Sequence, residues 1–250
     1  MASEENNNAA SRTRWILLNA MHENHKIPVL EAWANVLIPD HGPSIDHFEL
    51  VKLVNSLREE IYSVKAEAKK RCIPSNLYEQ YIDKALEATQ VENLTSPWAN
   101  YRQHITLELL LCLSFCAYIF DEDEFSFDES EIDEIEGLIK ELEQQIETGD
   151  IDPVLKHFVT TQVNTLKHSL NEYRIKGTKA FKGAYVSGVV QVFENEDLIR
   201  GKTDLPEIGL LRTIWQKMKA ATEKAAAANK AIESWTKLIE KGSEVIDYLS

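Results

Sequence analysis

Long stretches of the chain place apolar side chains three and four residues apart, the spacing of one face of an α-helix. Leu50, Val54, Leu57, Ile61, Val64 and Ala68 step by 4-3-4-3-4, and Lys69, Lys70 and Arg71 follow where cations suit a helix C-terminus. Ile132, Ile135, Ile139, Leu142 and Ile146 step by 3-4-3-4. Leu155, Val159, Val163, Leu166, Leu170 and Tyr173 then step by 4-4-3-4-3. Gly149 stops the first of this pair and Asp152-Pro153 opens the second, so a short loop joins two antiparallel helices.

Punctuation between these rows predicts further helices. Ser11 is placed to cap a helix carrying Trp15, Leu18 and Met21, and Pro28 opens a short one with Trp33 and Leu37, stopped by Pro39. Ser44, after Pro43, opens the long helix of Leu50–Ala68. Pro74 and Ser75 introduce another containing Tyr78, Ile82 and Leu86. Ser96 at the N-cap and Pro97 at N1 predict a helix of about six turns ending near Phe120. Its second half is apolar on all sides, the pattern of a central bundle helix. Ser126-x-x-Glu129 and Ser130-x-x-Asp133 both resemble capping boxes for the hairpin's first helix. "GTKAFKGAYVSGVVQVF" reads as a helix with small residues at Ala180, Ala184 and Gly188, although residues 184–193 have the Val-rich composition of a short strand.

The expected fold is therefore an all-α, multi-helix bundle of about seven to eight helices, with a central apolar helix and an antiparallel helical hairpin. Residues 1–11 are expected to be a disordered tail, 12–193 the bundle, 194–205 a linker, and 206–250 a long C-terminal amphipathic helix. That last helix aligns Leu211, Trp215, Met218, Thr222, Ala225, Asn229, Ile232 and Ile239 on one stripe.

Charge changes this picture at one place. The formal net charge is −14 over 250 residues, yet residues 121–150 hold fourteen acids against the single base Lys140. The window carries −13, so the remainder is nearly neutral. "FDEDEFSFDESEIDEIE", residues 120–136, follows the most apolar run of the chain. With the hairpin turn near 150–151, Glu134 is expected near Lys167, Phe127 near Arg174, Phe125 near Lys176 and Glu122 near Lys179. The run would thus be partly answered by the basic stretch 153–182. The surplus offers a surface to a basic partner, whereas a nucleic-acid binder carries the opposite sign.

The chemical motifs are weak. Read as a calcium loop from Asp121, the acid run puts Phe125 at position 5, Ser126 at position 6 and Ile132 at position 12, which fails. His22, His25, Asp40, His41, Asp46 and His47 are zinc-ligand types, but H-E-x-H is not the H-E-x-x-H arrangement. No P-loop ending or G-x-S-x-G elbow is present. Cys72, Cys112 and Cys116 contain no C-x-x-C pair and read as free thiols in a reducing compartment. The polar start predicts no secretory signal, and the apolar run to Phe120 is too short for a membrane span.

These observations predict a non-catalytic, cytoplasmic protein acting through protein–protein interaction or regulation. Its partner would be a protein of basic character, or a second copy joined through the heptad seams. No catalytic residue, metal ligand, cofactor, nucleic acid or transmembrane span is expected. The partner-binding residues are expected to be Asp121, Glu122, Asp123, Glu124, Asp128, Glu129, Trp215 and Trp235. The alternatives are a metal-dependent hydrolase or nuclease using the His/Asp cluster at 22–47, and an acidic lure for a basic partner.

Overall fold

The computed structural model describes residues 7–38, 41–42, 45–120, 127, 129–200, 202 and 204–228. Among them are eleven α-helices and no strand, so the protein is an all-α multi-helix bundle. Nine helices have nine residues or more and two have four, more than the seven or eight predicted. The chain divides into two compact units, residues 1–124 with 174–177, and residues 125–173 with 178–250.

The first unit begins with α1, Ala9–His22. Asn8, not Ser11, is its cap: the Asn8 side chain accepts from the backbone N–H of Ala10 and Ser11, both at 3.1 Å. Ser11 sits at N3 and completes the box by accepting from the Asn8 N–H at 2.9 Å. After α2, Val29–Leu37, Asp46 caps α3, His47–Lys70. The whole predicted row from Leu50 to Ala68 is buried. Past its end, Ile73 N–H bonds the Ala68 carbonyl and Cys72 N–H that of Lys69, a Schellman closure with Cys72 at φ 56°.

A 3-10 turn at Ser75–Leu77 leads into α4, Glu79–Ala88. Here Ile82 and Ala85 are buried while Leu86 is half-buried. The single long helix predicted from Ser96 is broken into α5, Ala99–Arg102, and α6, Leu107–Phe120. Between them the chain turns, His104 N–H bonding Tyr101 O and Ile105 N–H bonding Arg102 O, and ahead of α5 it is clasped to the start of α2. Val29 N–H bonds Ser96 O and Leu30 N–H bonds Leu94 O, both at 2.9 Å, while Trp98 N–H bonds Ile27 O at 2.8 Å. Trp98 is buried edge-on against Trp33 and donates its indole N–H to Ala20 O. Thr106 Oγ1 then accepts from Leu109 N–H and restarts the helix as α6.

Helix α6 runs antiparallel to α1: Asn8 Nδ2 donates to Ala117 O at one end, and Arg102 Nε to Met21 O at the other. Residues 174–177 complete this unit. Ile175 lies in its core, Arg12 Nε donates to the Ile175 carbonyl at 3.0 Å, and Lys176 pairs with Glu59 at 2.6 Å. Arg12 also meets Glu60 at 2.9 Å, both side chains being almost buried.

The second unit holds α7, Glu129–Thr148, most of α8, Pro153–Lys176, then α9, Thr178–Glu194, α10, Glu196–Ile199, and α11, Pro206–Ala228. Ile135, Ile139, Leu142 and Ile146 meet Leu155, Val159, Val163, Leu166 and Leu170 in one core with Phe181, Tyr185, Leu211, Trp215 and Met218. The Val-rich end of α9 is helical. Gly177, at φ 60°, supplies the left-handed turn between α8 and α9. Residues 194–205, predicted to be a linker, contain α10, whose Ile199 is buried.

Two expectations for the hairpin are corrected. Helix α7 approaches α11 more closely than α8. The charge pairs also differ: Lys167 bonds Glu143 at 2.9 Å, while Glu134 takes Lys217 of α11 at 2.7 Å. Glu143 lies nine residues from Glu134, about 13 Å along α7 and more than a Lys side chain spans, so the register of α7 against α8 differs from the one the turn implies. Phe127 does reach the last turns of α8, its N–H donating to Tyr173 Oη at 2.9 Å. Phe125 and Glu122 lie outside the described residues.

Candidate interaction surface

Helix α6 has two unlike sides. Leu109, Cys112, Leu113, Cys116 and Phe120 face the core of the first unit. Leu107, Leu111, Phe115 and Tyr118 face outward, at 66%, 68%, 45% and 81% exposure. Their 4-4-3 spacing puts them on one helical stripe. The prediction of a helix enclosed on all sides is thus met on one side only. The sequence does not separate the two sides by residue size: Leu109, Leu113 and Phe120 are buried while Leu107, Leu111 and Phe115 are exposed. Large apolar side chains in a contiguous exposed row are the informative exception to ordinary burial.

The ends of the stripe are fixed by polar contacts. At the N-terminal end, the Glu108 carboxyl is held below the usual carboxylate range by the Glu108 backbone N–H and the Thr106 hydroxyl, with Lys84 nearby. His104 Nδ1 lies 2.8 Å from Glu87. At the C-terminal end, the Arg71 guanidinium donates to Ile119 O at 2.7 Å and to Phe120 O, and lies 5.6 Å above the Phe120 ring. Glu67 holds Arg71 Nε at 2.7 Å, and that hydrogen bond pulls the Glu67 carboxyl below its ordinary range. Arg71 therefore answers the exposed carbonyls of α6 at the residue before the acid run begins.

The other candidates are placed differently. Trp215 is buried: its indole N–H donates to Gln162 Oε1 at 3.0 Å, and the Gln162 amide continues to Gln191 at 2.7 Å. It holds the core of the second unit and is closed to a partner. Glu129 is the first residue of α7. Asp121, Glu122, Asp123, Glu124, Asp128 and Trp235 lie outside the described residues.

Of the histidine cluster, His22, His25 and His47 are exposed, and Asp46 is committed to capping α3. Both ring nitrogens of His41 are engaged, with Gly42 O at 2.9 Å and Asn35 Oδ1 at 3.0 Å, and Asn35 in turn donates to Glu23. Among the described residues no group of three His, Cys, Asp or Glu converges as a metal site. Cys112 and Cys116 are buried one turn apart, and a mutual hydrogen bond together with burial pushes the Cys116 thiol up. Among the described residues no helix is long and apolar enough to cross a membrane. No protein-family model matches the chain, and neither a curated protein nor a solved structure is significantly similar to it.

Proposed function

We propose that the protein acts by holding another protein, without catalysing a reaction, and that the outward stripe of α6 is the surface it uses. The observation that carries this reading is the exposure of Leu107, Leu111, Phe115 and Tyr118 on one face of one helix. Such a row loses free energy in water and regains it on contact, at about 25 cal/mol for each Å² removed from solvent. Asp121, Glu122, Asp123 and Glu124 follow directly in the chain, with Asp128 and Glu129 beyond, and add a salt-sensitive component.

The test is affinity purification of the full-length chain from its native host at low and high salt, followed by mass spectrometry. The wild type is compared with the double substitution Leu111→Ser and Phe115→Ser. Both positions are exposed, so the variant is expected to fold normally. Proteins held by the wild type should be lost from the variant. Identical sets of associated proteins would end the proposal.

A further inference from the structure

Resting on that reading, we infer that the protein held at the stripe of α6 is a second copy of this chain, laid antiparallel across a two-fold axis. The stripe is close to symmetric about its own middle. Leu107 and Tyr118 are centred on position 112.5 of the sequence and Leu111 and Phe115 on position 113, a difference of about 0.75 Å along the helix. Size is not symmetric, because two leucines fill the first half and two aromatic rings the second. Turning a copy end for end sets Leu107 against Tyr118 of the other copy, and Leu111 against Phe115 of the other copy, each twice. Every such contact joins a ring to a leucine, which keeps two straight helices evenly spaced. A parallel copy would crowd rings against rings at one end and leave leucines against leucines at the other.

Area and charge both suit a copy. Leu77 flanks the stripe, its carbonyl accepting from Cys112 Sγ at 3.6 Å, and is itself 47% exposed. Together with the four side chains of α6 it exposes roughly 700 Å². Standard interfaces take about 600–1,000 Å² from each partner, and a copy presents the same area that it covers. An isologous contact of this kind is the commonest association of identical chains. From Leu109 to Phe120 the helix carries no charged side chain, the composition of an interface centre. The charges at the two ends of the stripe are matched within one copy: Glu108 has Lys84 nearby, and Arg71 bonds Glu67 at 2.7 Å. Neither end demands a strongly basic or a strongly acidic ligand. Antiparallel pairing turns the Glu108 end of one copy toward the Arg71 end of the other, whereas parallel pairing sets Glu108 beside Glu108.

Sedimentation equilibrium of the full-length chain, from about 1 to about 100 μM, measures the association. The wild type should dimerise, and Leu111→Ser with Phe115→Ser should raise the dissociation constant at least about ten-fold. Tyr118→Ser, at the most exposed position, is the second variant, and far-UV circular dichroism checks both folds. Each copy carries a net charge of −14, so raising salt from about 0.1 M to about 0.5 M should hold or tighten the dimer, where contact with a basic partner would weaken. Orientation is read by a short bismaleimide in a Cys72→Gly background. Copies carrying Leu107→Cys should join to copies carrying Tyr118→Cys, while two Leu107→Cys positions lie about 17 Å apart in the antiparallel pair and should not join. A monomer at every concentration, a dimer that both variants leave intact, a dimer lost at high salt, or Leu107→Cys copies that join one another would each overturn the inference. A wild-type monomer whose native partners are lost from the double variant would replace the copy by another protein and leave the interaction reading standing. Retention of every native partner with an unchanged oligomeric state would defeat the interaction reading itself.

Discussion

Helix α9 contains two interior glycines five residues apart, and replacing each by alanine should move stability in opposite directions. In a helix interior alanine is favoured over glycine by about 0.8–1 kcal/mol. At Gly183 a new methyl group would meet nothing within 4 Å, so Gly183→Ala should stabilise by about that amount. At Gly188 the same methyl would fall 2.2 Å from Trp215 Cζ2, 2.3 Å from Cη2 and 2.9 Å from Cε2. Contact at ordinary van der Waals distance requires the indole to retreat by more than about 1 Å. It has nowhere to go: Trp215 is 1% exposed, packs edge-on to Tyr185 and donates to Gln162. Overpacking costs about 1–3 kcal/mol, and sliding the ring off Gln162 strands a buried donor at about 1–3 kcal/mol more. Against the propensity gain, Gly188→Ala should destabilise by about 1–5 kcal/mol. Urea denaturation followed by circular dichroism and indole fluorescence measures both variants. If Gly188→Ala is as stable as the wild type, or Gly183→Ala is equally damaging, the close helix packing described here is wrong.

Cys72 closes α3 in a left-handed conformation that glycine adopts without steric cost, so Cys72→Gly should raise stability by about 0.5–1 kcal/mol in the same denaturation assay, and a loss would refute it. Glu67 titrates below its unfolded value because Arg71 bonds its carboxylate, so its contribution is full above the unfolded value and is lost as pH falls through the folded one. The stability difference between the wild type and Glu67→Gln should therefore be largest near neutrality and shrink through the acid limb. A difference that stays constant with pH would count against the Arg71 bridge.

Amphipathic rows were legible because a long helix packed on one side repeats its signal many times. The row from Leu50 to Ala68 is buried throughout, and the rows of α7 and α8 meet in one core. What sequence could not supply was anything settled by a partner distant in the chain. Ser96-Pro97 has the chemistry of a helix start, but hydrogen bonds from Val29 and Leu30 hold that strip of backbone in another conformation. Glu134 finds Lys217 and not Lys167 because α11 comes closer to α7 than the hairpin partner does. Trp215 read as an anchor on an amphipathic stripe, and an anchor in a core has the same stripe. At α6 the composition suggested enclosure, and because Leu and Phe occur on both faces only the packing of the neighbouring helices separates the buried side from the exposed one.

The contribution of residues 174–177 to the first unit has a consequence for how the protein is made. Ile175 fills that unit's core, and its carbonyl and the neighbouring Lys176 bind Arg12 and Glu59. A ribosome that has reached Glu124 has supplied every earlier helix of the unit but none of these contacts. Roughly fifty more residues must be synthesised first, which takes about 3–10 s. During that interval the nascent first unit waits with part of its core unfilled, exposed to chaperones, and its final consolidation comes only after most of the later unit's first two long helices has emerged.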